Sequence, residues 1–213
     1  MIPVVYVTSS TFKRVENAAF CRSARMMDGT PVSQLFEFQL RSVSVPESLE
    51  VDLRVLVANE VTKAYQQIRV PCIVEHAGLV FSDYVSKSYP GGLTKPMWNS
   101  LGDKFVEETH SANRRAIARA VVAYCDGMDV KTFVGETEGV IAPSPRGSRT
   151  FYWDTVFIPD TTVAAAMGKT FSEIAEDPTL GLDFKMRELS QSGRAMLEFL
   201  EYLRARPSNR LWP

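Results

Sequence analysis

Val70–Leu93, VPCIVEHAGLVFSDYVSKSYPGGL, is the stretch on which the reading of this chain turns. It opens with an apolar, β-branched run, Val70, Cys72, Ile73 and Val74, which predicts a buried strand. Glu75, His76 and Ala77 follow at the expected end of that strand. After Gly78 the alternation resumes in Leu79-Val80-Phe81, as in a hairpin or a strand broken by a bulge. Ligands of open α/β sheets sit at the carboxyl ends of strands, so Glu75 and His76 stand where chemistry is often done. An ordinary strand-turn-strand satisfies the same pattern.

Upstream, Ile2 to Val7 reads as a buried strand of the parallel type, closed by the hydroxyls of Thr8-Ser9-Ser10 before a helix over Thr11–Met26. Strand, hydroxyl-rich turn and helix present free backbone N–H groups and a helix dipole to an anion. Lys13 in the first helical turn opposes that dipole unless it serves the same anion. Gln34–Val45 reads as a strand, and Leu49–Ile68 as a helix with Leu53, Leu56, Val57, Val61, Ala64, Tyr65 and Ile68 on its apolar stripe. Asn59 and Lys63 share another face.

Downstream, Pro96–Val106 reads as a short helix, and Ala112–Tyr124 is ambiguous between helix and strand. Asp126-Gly127 marks a turn, and Val130–Val134 with Glu138–Ile141 suggests a hairpin around Gly135. The loop Pro143–Gly147, holding Arg146, leads to the aromatic run Phe151-Tyr152-Trp153, to Asp154, and to a strand at Val156–Ile158. Aromatic faces beside an acid suit a purine, since rings stack and the carboxylate accepts from a ring N–H, though aromatics next to a strand also serve as core. Lys169-Thr170-Phe171 opens a capped helix, and Phe184–Arg206 reads as one long terminal helix.

Composition narrows the classes. The 213 residues are long enough for a full core and are expected to form a single domain over 1–213. Hydrophobic content of 45% and charged content of 23% suit a soluble globular chain. A net charge of −1 gives no electrostatic case for nucleic acid. Cys21, Cys72 and Cys125 lack CxxC spacing and read as reduced thiols of a cytoplasmic protein. Two histidines, His76 and His110, argue against zinc. No apolar run approaches the roughly 20 residues that span a bilayer, and MIPVVYVTSS lacks the basic start of a signal peptide.

Taken in order, these segments resemble the inosine triphosphate pyrophosphatase family, whose enzymes cleave ITP, dITP and XTP to monophosphate and pyrophosphate with magnesium. VTSSTFKRVE is similar to its opening T-G-N-x-x-K-x-x-E, and ANEVTKA to E-N-x-x-x-K-A. VEHAGL through YPGGL is similar to A/V-D/E-D-S/T-G-L followed by G-G-x-P-G. FVGETEGVIAPSPRGSRTFYWDTVFIPD resembles F-x-G-x-x-x-G-x-I-x-x-P-R-G-x-x-x-F-G-Y/W-D-P-I-F-x-P. KTFSEI resembles K-T-F-A-E-M, and LSQSGRAMLEFLEYL the S-H-R-x-R-A-L helix. The resemblance implies an α/β fold with a long mixed, twisted sheet flanked by helices, forming two lobes around a central nucleotide cleft, usually as a homodimer. It implies phosphate contacts at Thr8, Ser9, Ser10 and Lys13, assisted by Lys63. It implies base contacts at Phe151, Trp153 and Asp154, with Lys169, Ser190 and Gln191 nearby, and gives Arg146 to loop structure or phosphate.

The departures weaken the implied catalysis. His76 stands at the family's catalytic Asp, Ala58 at its metal-binding Glu, and Ser9 and Ser10 at its Gly and Asn. Gln191 and Ser192 replace the H-R of S-H-R. Magnesium prefers hard oxygen ligands; alanine supplies none, and imidazole, a nitrogen donor, is a poor magnesium ligand. Losing both acids should slow hydrolysis by several powers of ten yet spare binding, because a triphosphate carries its own Mg2+. The expectation is therefore an impaired sensor of dITP or ITP. A similar arrangement is the Kongming antiviral system, where a pyrophosphatase-like subunit binds dITP and activates a partnered sirtuin-like NADase. The alternative is an active Mg2+-dependent pyrophosphatase in which His76 serves as base, and Glu75, Asp83 or Glu60 takes over the metal.

Overall fold

The computed structural model describes residues 1–46, 48–109 and 114–206, with the backbone alone at 149–151. Its strands are β1 (Ile2–Val7), β2 (Phe36–Arg41), β3 (Cys72–Phe81), β4 (Arg115–Cys125), β5 (Val130–Ile141) and β6 (Phe157–Pro159). They form one curled, mixed sheet in the order β2-β1-β3-β4-β5-β6. β1 is parallel to both β2 and β3, while β3 to β6 pair antiparallel. Its helices are α1 (Thr11–Ser23), a single turn α2 (Val32–Leu35), α3 (Leu53–Ile68), α4 (Thr94–Leu101), α5 (Phe171–Glu176), α6 (Gly181–Phe184) and α7 (Gln191–Ala205). Among the described residues no helix is long and apolar enough to cross a membrane.

Strand alternation sorts the core onto the two faces. On one, Ile73 and Val122 meet Phe20 of α1 and Phe199 and Leu200 of α7. On the other, Val74, Val121 and Ala123 meet Leu53, Leu56, Val57, Val61 and Ala64 of α3. Each of those Leu and Val side chains contributes about 1.5–3 kcal/mol by leaving water. A third cluster at the far end gathers Leu79, Phe105, Trp153, Phe157 and Phe171.

Caps explain the helix starts. The Ser10 hydroxyl accepts from the Lys13 N–H, Asp52 accepts from Arg54, and Thr170 with Glu173 forms a capping box. Asp52 delays α3 to Leu53 from the expected Leu49. The strand expected over 34–45 shortens to β2, and residues 42–45 line a cleft instead.

Three other expectations are corrected, and one open alternative is settled. β3 is unbroken, pairing with β4 from Cys72↔Cys125 to Phe81↔Ala116, so Gly78 marks neither turn nor bulge. A Cβ there would lie 2.2 Å from the Gly91 carbonyl oxygen, so the glycine admits a neighbouring loop. β5 likewise runs straight through Gly135, where a Cβ would lie 2.0 Å from the Gln191 carbonyl oxygen of α7. The hairpin is at 126–129, between β4 and β5, where Asp126 accepts from the Met128 and Asp129 N–H groups. The ambiguous segment is strand from Arg115; Ala112 lies outside the described residues. The terminal helix is interrupted: a wide turn over Lys185–Leu189 precedes Ser190, whose hydroxyl caps α7. The three cysteines are free thiols, and burial pushes Cys72 up to about 12.

Candidate functional site: a cleft where two parallel strands part

β1 and β3 share register only at Tyr6↔Ile73. Beyond it β1 turns into α1 while β3 continues along β4, which opens a cleft of about 600 Å³. Glu75 and His76 therefore lie mid-strand, facing the gap left by β1, and not at a strand end as expected. Part of the exposed edge of β3 is satisfied by side chains. The Glu75 carbonyl accepts from Lys13 Nζ, and the Leu79 N–H donates to Thr94 Oγ1 at 2.9 Å.

Thr8, Ser9, Ser10 and Lys13 line one wall, at the start of α1. Lys13 reaches across the cleft floor to Glu75 Oε2 at 3.1 Å. Glu75 is nearly fully enclosed, and both its carboxylate oxygens are engaged. Oε2 also accepts from the Tyr6 hydroxyl at 3.3 Å, and Oε1 from Ser192 Oγ at 3.1 Å. Burial alone would raise the Glu75 pKa, but the charges of Lys13 and His76 and the bonds from Lys13 and Ser192 hold it below the usual value. The Tyr6 phenol is pushed well up by burial and by the adjacent Glu75 and Glu16.

His76 Nε2 lies 2.5 Å from Glu60 Oε2. Glu60 comes from the apolar stripe of α3, four residues after Leu56, and is 3% exposed. Its Oε1 has no hydrogen-bond partner. Ala58, at the position of the resembled Glu, does not line the cleft, whereas Glu60 does. A carboxylate thus stands beside His76 despite the alanine at 58.

At the other end Asp154 is buried and ion-paired with Lys185, which also meets Glu16 Oε1 at 3.0 Å. Burial pushes Asp154 up to about 6 against the pull of Lys185, and Glu16 adds to the rise. Burial works against the Lys185 charge, but Asp154 and Glu16 outweigh it and hold the ammonium above its ordinary value. Lys185, 1% exposed, holds the cleft residues Asp154 and Glu16 from behind, and sequence reasoning misses it because lysine is rarely enclosed and nothing local announces it.

Gln191 lines the cleft, 4% exposed, and its Oε1 has no partner. Trp153 touches the cleft but is mainly core, set against Phe157 and Phe171. Tyr152 is the more open ring, and the F-G-Y/W-D pattern, with glycine at that place, marks it. The Phe151 side chain lies outside the described residues. Four candidates stand away from the cleft. Lys63 Nζ donates to the Pro46 carbonyl at 3.3 Å, and Lys169 pairs with Asp177 at 2.5 Å. Ser190 caps α7, and Arg146 donates to the Gly168 carbonyl at 2.6 Å.

Among the described residues no three His, Cys, Asp or Glu side chains are grouped to hold a metal. Magnesium needs only one or two protein carboxylates beside phosphate oxygens. The unpartnered Glu60 Oε1 fits that single place, while the Glu75 oxygens are already taken.

An α/β sheet opened between parallel strands, with a hydroxyl- and lysine-bearing wall at a helix start, defines an α/β protein with a polar cleft at a strand–helix junction. The chain belongs to the Ham1 family, whose model matches residues 4–202. It is 33% identical over 146 residues to a dITP/XTP pyrophosphatase of Hyperthermus butylicus, covering 67% of this chain and 68% of that one. It is 31% identical over 169 residues to an inosine triphosphate pyrophosphatase of Candida glabrata, covering 76% and 80%. The fold matches a HAM1 protein from Coxiella burnetii with a TM-score of 0.65 at 19% identity, over 96% of this chain and 98% of that one.

Proposed function

We propose that the cleft takes a purine nucleoside triphosphate of the dITP, ITP or XTP type, and that the chain is a Mg2+-dependent pyrophosphatase. The observation that carries this reading is the 2.5 Å contact between His76 and Glu60, which sets a carboxylate beside the imidazole that stands at an acidic motif position. The pyrophosphatase names of the relatives support the same substrate class.

In this reading the triphosphate lies along Thr8, Ser9 and Ser10 at the start of α1, and the base lies toward Gln191. Magnesium, when bound with the nucleotide, neutralises phosphate charge and eases ionisation of water; Glu60 Oε1 would hold it. His76 takes the proton of the attacking water, and Glu60 Oε2 steadies the imidazolium that forms. The new bond joins water oxygen to the α-phosphorus. The bond from that phosphorus to the β-bridging oxygen breaks, and pyrophosphate leaves. Glu75 holds Lys13 in place.

Ala58 and His76, both at acidic motif positions, favour a second reading, a binding-only sensor. Its occupied state would act on a partner effector such as a sirtuin-like NADase, in a homodimer or hetero-complex. One experiment separates the two: pyrophosphate release from dITP, ITP and XTP with magnesium, beside thermal shift. Turnover that falls about 10²–10⁴-fold in His76→Ala is expected. Thermal stabilisation with no release would sink the enzyme reading in favour of the sensor, and neither response would sink both.

A further inference from the structure

Tyr152 has φ +43°, a left-handed backbone that side-chain-bearing residues rarely adopt and glycine takes freely. The turn is pinned, since Thr155 Oγ1 donates to the Tyr152 carbonyl at 3.0 Å. The ring gains little burial in return: the residue is 36% exposed on the cleft wall. Its neighbour Trp153, at 7%, fills the core instead. Phe12, in the first turn of α1 and also on the cleft wall, meets the Tyr152 ring edge-on at 5.7 Å and 78°. Phe12 is separated from Ser10 only by Thr11, so the aromatic pair adjoins the hydroxyl wall. A strained residue whose ring is left open to a cleft, and braced by a second ring, is built for contact with something that enters.

We propose that Tyr152, braced by Phe12, is the stacking platform for the base of the bound nucleotide, the role that sequence pattern gives to Phe151 and Trp153. This rests on the reading that the cleft binds a nucleoside triphosphate. Stacking uses the π-face that every base has, so the platform favours a base over none without choosing among purines. Gln191, whose Oε1 has no partner, is left to make that choice.

The test is calorimetric binding of two probes, dITP and inorganic tripolyphosphate, with calcium in place of magnesium, to the full chain and to Tyr152→Gly and Tyr152→Phe. Tyr152→Gly should weaken dITP about ten-fold, as loss of one base–aromatic stack does, and leave tripolyphosphate unchanged. Its melting temperature should hold or rise, because glycine relieves the backbone. Tyr152→Phe should keep dITP affinity. Unchanged dITP affinity in Tyr152→Gly, or equal loss of both probes, overturns the platform alone. A wild-type chain that binds neither probe overturns the nucleotide reading and the platform with it.

Discussion

The two ends of the cleft are held together differently. At the Asp154 end, Lys185 sits enclosed between Asp154 and Glu16, with its ammonium paired to both carboxylates. At the His76 end, Glu60 gives one oxygen to His76 and leaves the other without a partner, and Gln191 likewise has a free acceptor. A satisfied buried network keeps its shape whether or not a ligand is present, whereas an unpaired buried acceptor is costly until something donates to it. The first end reads as scaffold that fixes geometry, the second as the place where a ligand completes the bonding. Glu75 belongs with the scaffold, despite its position at the centre of the cleft.

The hardest break of that comparison is Lys185→Met. It leaves Asp154 and Glu16 facing each other in a buried site without their cation, and removing one member of a buried pair costs about 3–5 kcal/mol. Denaturant unfolding at pH 8 should show a loss of that size. The sign of its pH dependence follows from Asp154, already pushed up to about 6 with the lysine present. A carboxyl whose folded pKa is raised binds protons more readily when folded, so its support is present at low pH and lost as pH rises. The defect should therefore shrink as the pH is lowered toward 5. A defect below about 1 kcal/mol at pH 8 would mean that water reaches this end and that the contrast between the ends is false.

How far the sequence reaches tracks the same contrast. The buried strands and the Ser10 and Thr170 caps are legible because β-branched runs and capping hydroxyls act locally. Gly78 and Gly135 mislead, since a glycine within a strand pattern signals either a break or a close approach. Only the Gly91 carbonyl and the α7 backbone, distant in sequence, decide which. The terminal helix misleads for a related reason: its periodicity hides the Ser190 cap. At the site, Glu60 can be noticed as a carboxylate on an apolar stripe, four residues after Leu56. Lys63 and Lys169 look alike in sequence and turn out to serve Pro46 and Asp177, because the geometry of a lysine's partners is not written in its neighbours.

The open end can be sharpened with Gln191→Leu. Leucine keeps much of the volume and removes the unpartnered acceptor, so the ligand-free chain should be as stable or gain about 1 kcal/mol. Binding of dITP should weaken about ten-fold, the loss of one buried hydrogen bond to a base N–H. Thermal melting and calorimetry read the two effects separately. A variant less stable by more than about 1 kcal/mol, with unchanged dITP affinity, would move Gln191 into the scaffold.

The smallest effect belongs to Lys169→Ala, which tests whether motif position alone confers a role at the cleft. Lys169 sits in a stretch similar to K-T-F-A-E-M, yet its ammonium meets Asp177 and lines no part of the cavity. The Lys169 side chain is 38% exposed, and an exposed pair contributes little. Bonds from Lys169 and from the Thr179 hydroxyl and N–H hold the Asp177 carboxyl below the usual range, so the pair's support is lost only on acidification. The melting temperature at pH 7 should drop by no more than about 2 °C, and dITP affinity should not change. A fall in dITP affinity without loss of stability would bring Lys169 to the bound nucleotide, and would mean that the segment closes on the ligand in a way the unliganded cleft does not display.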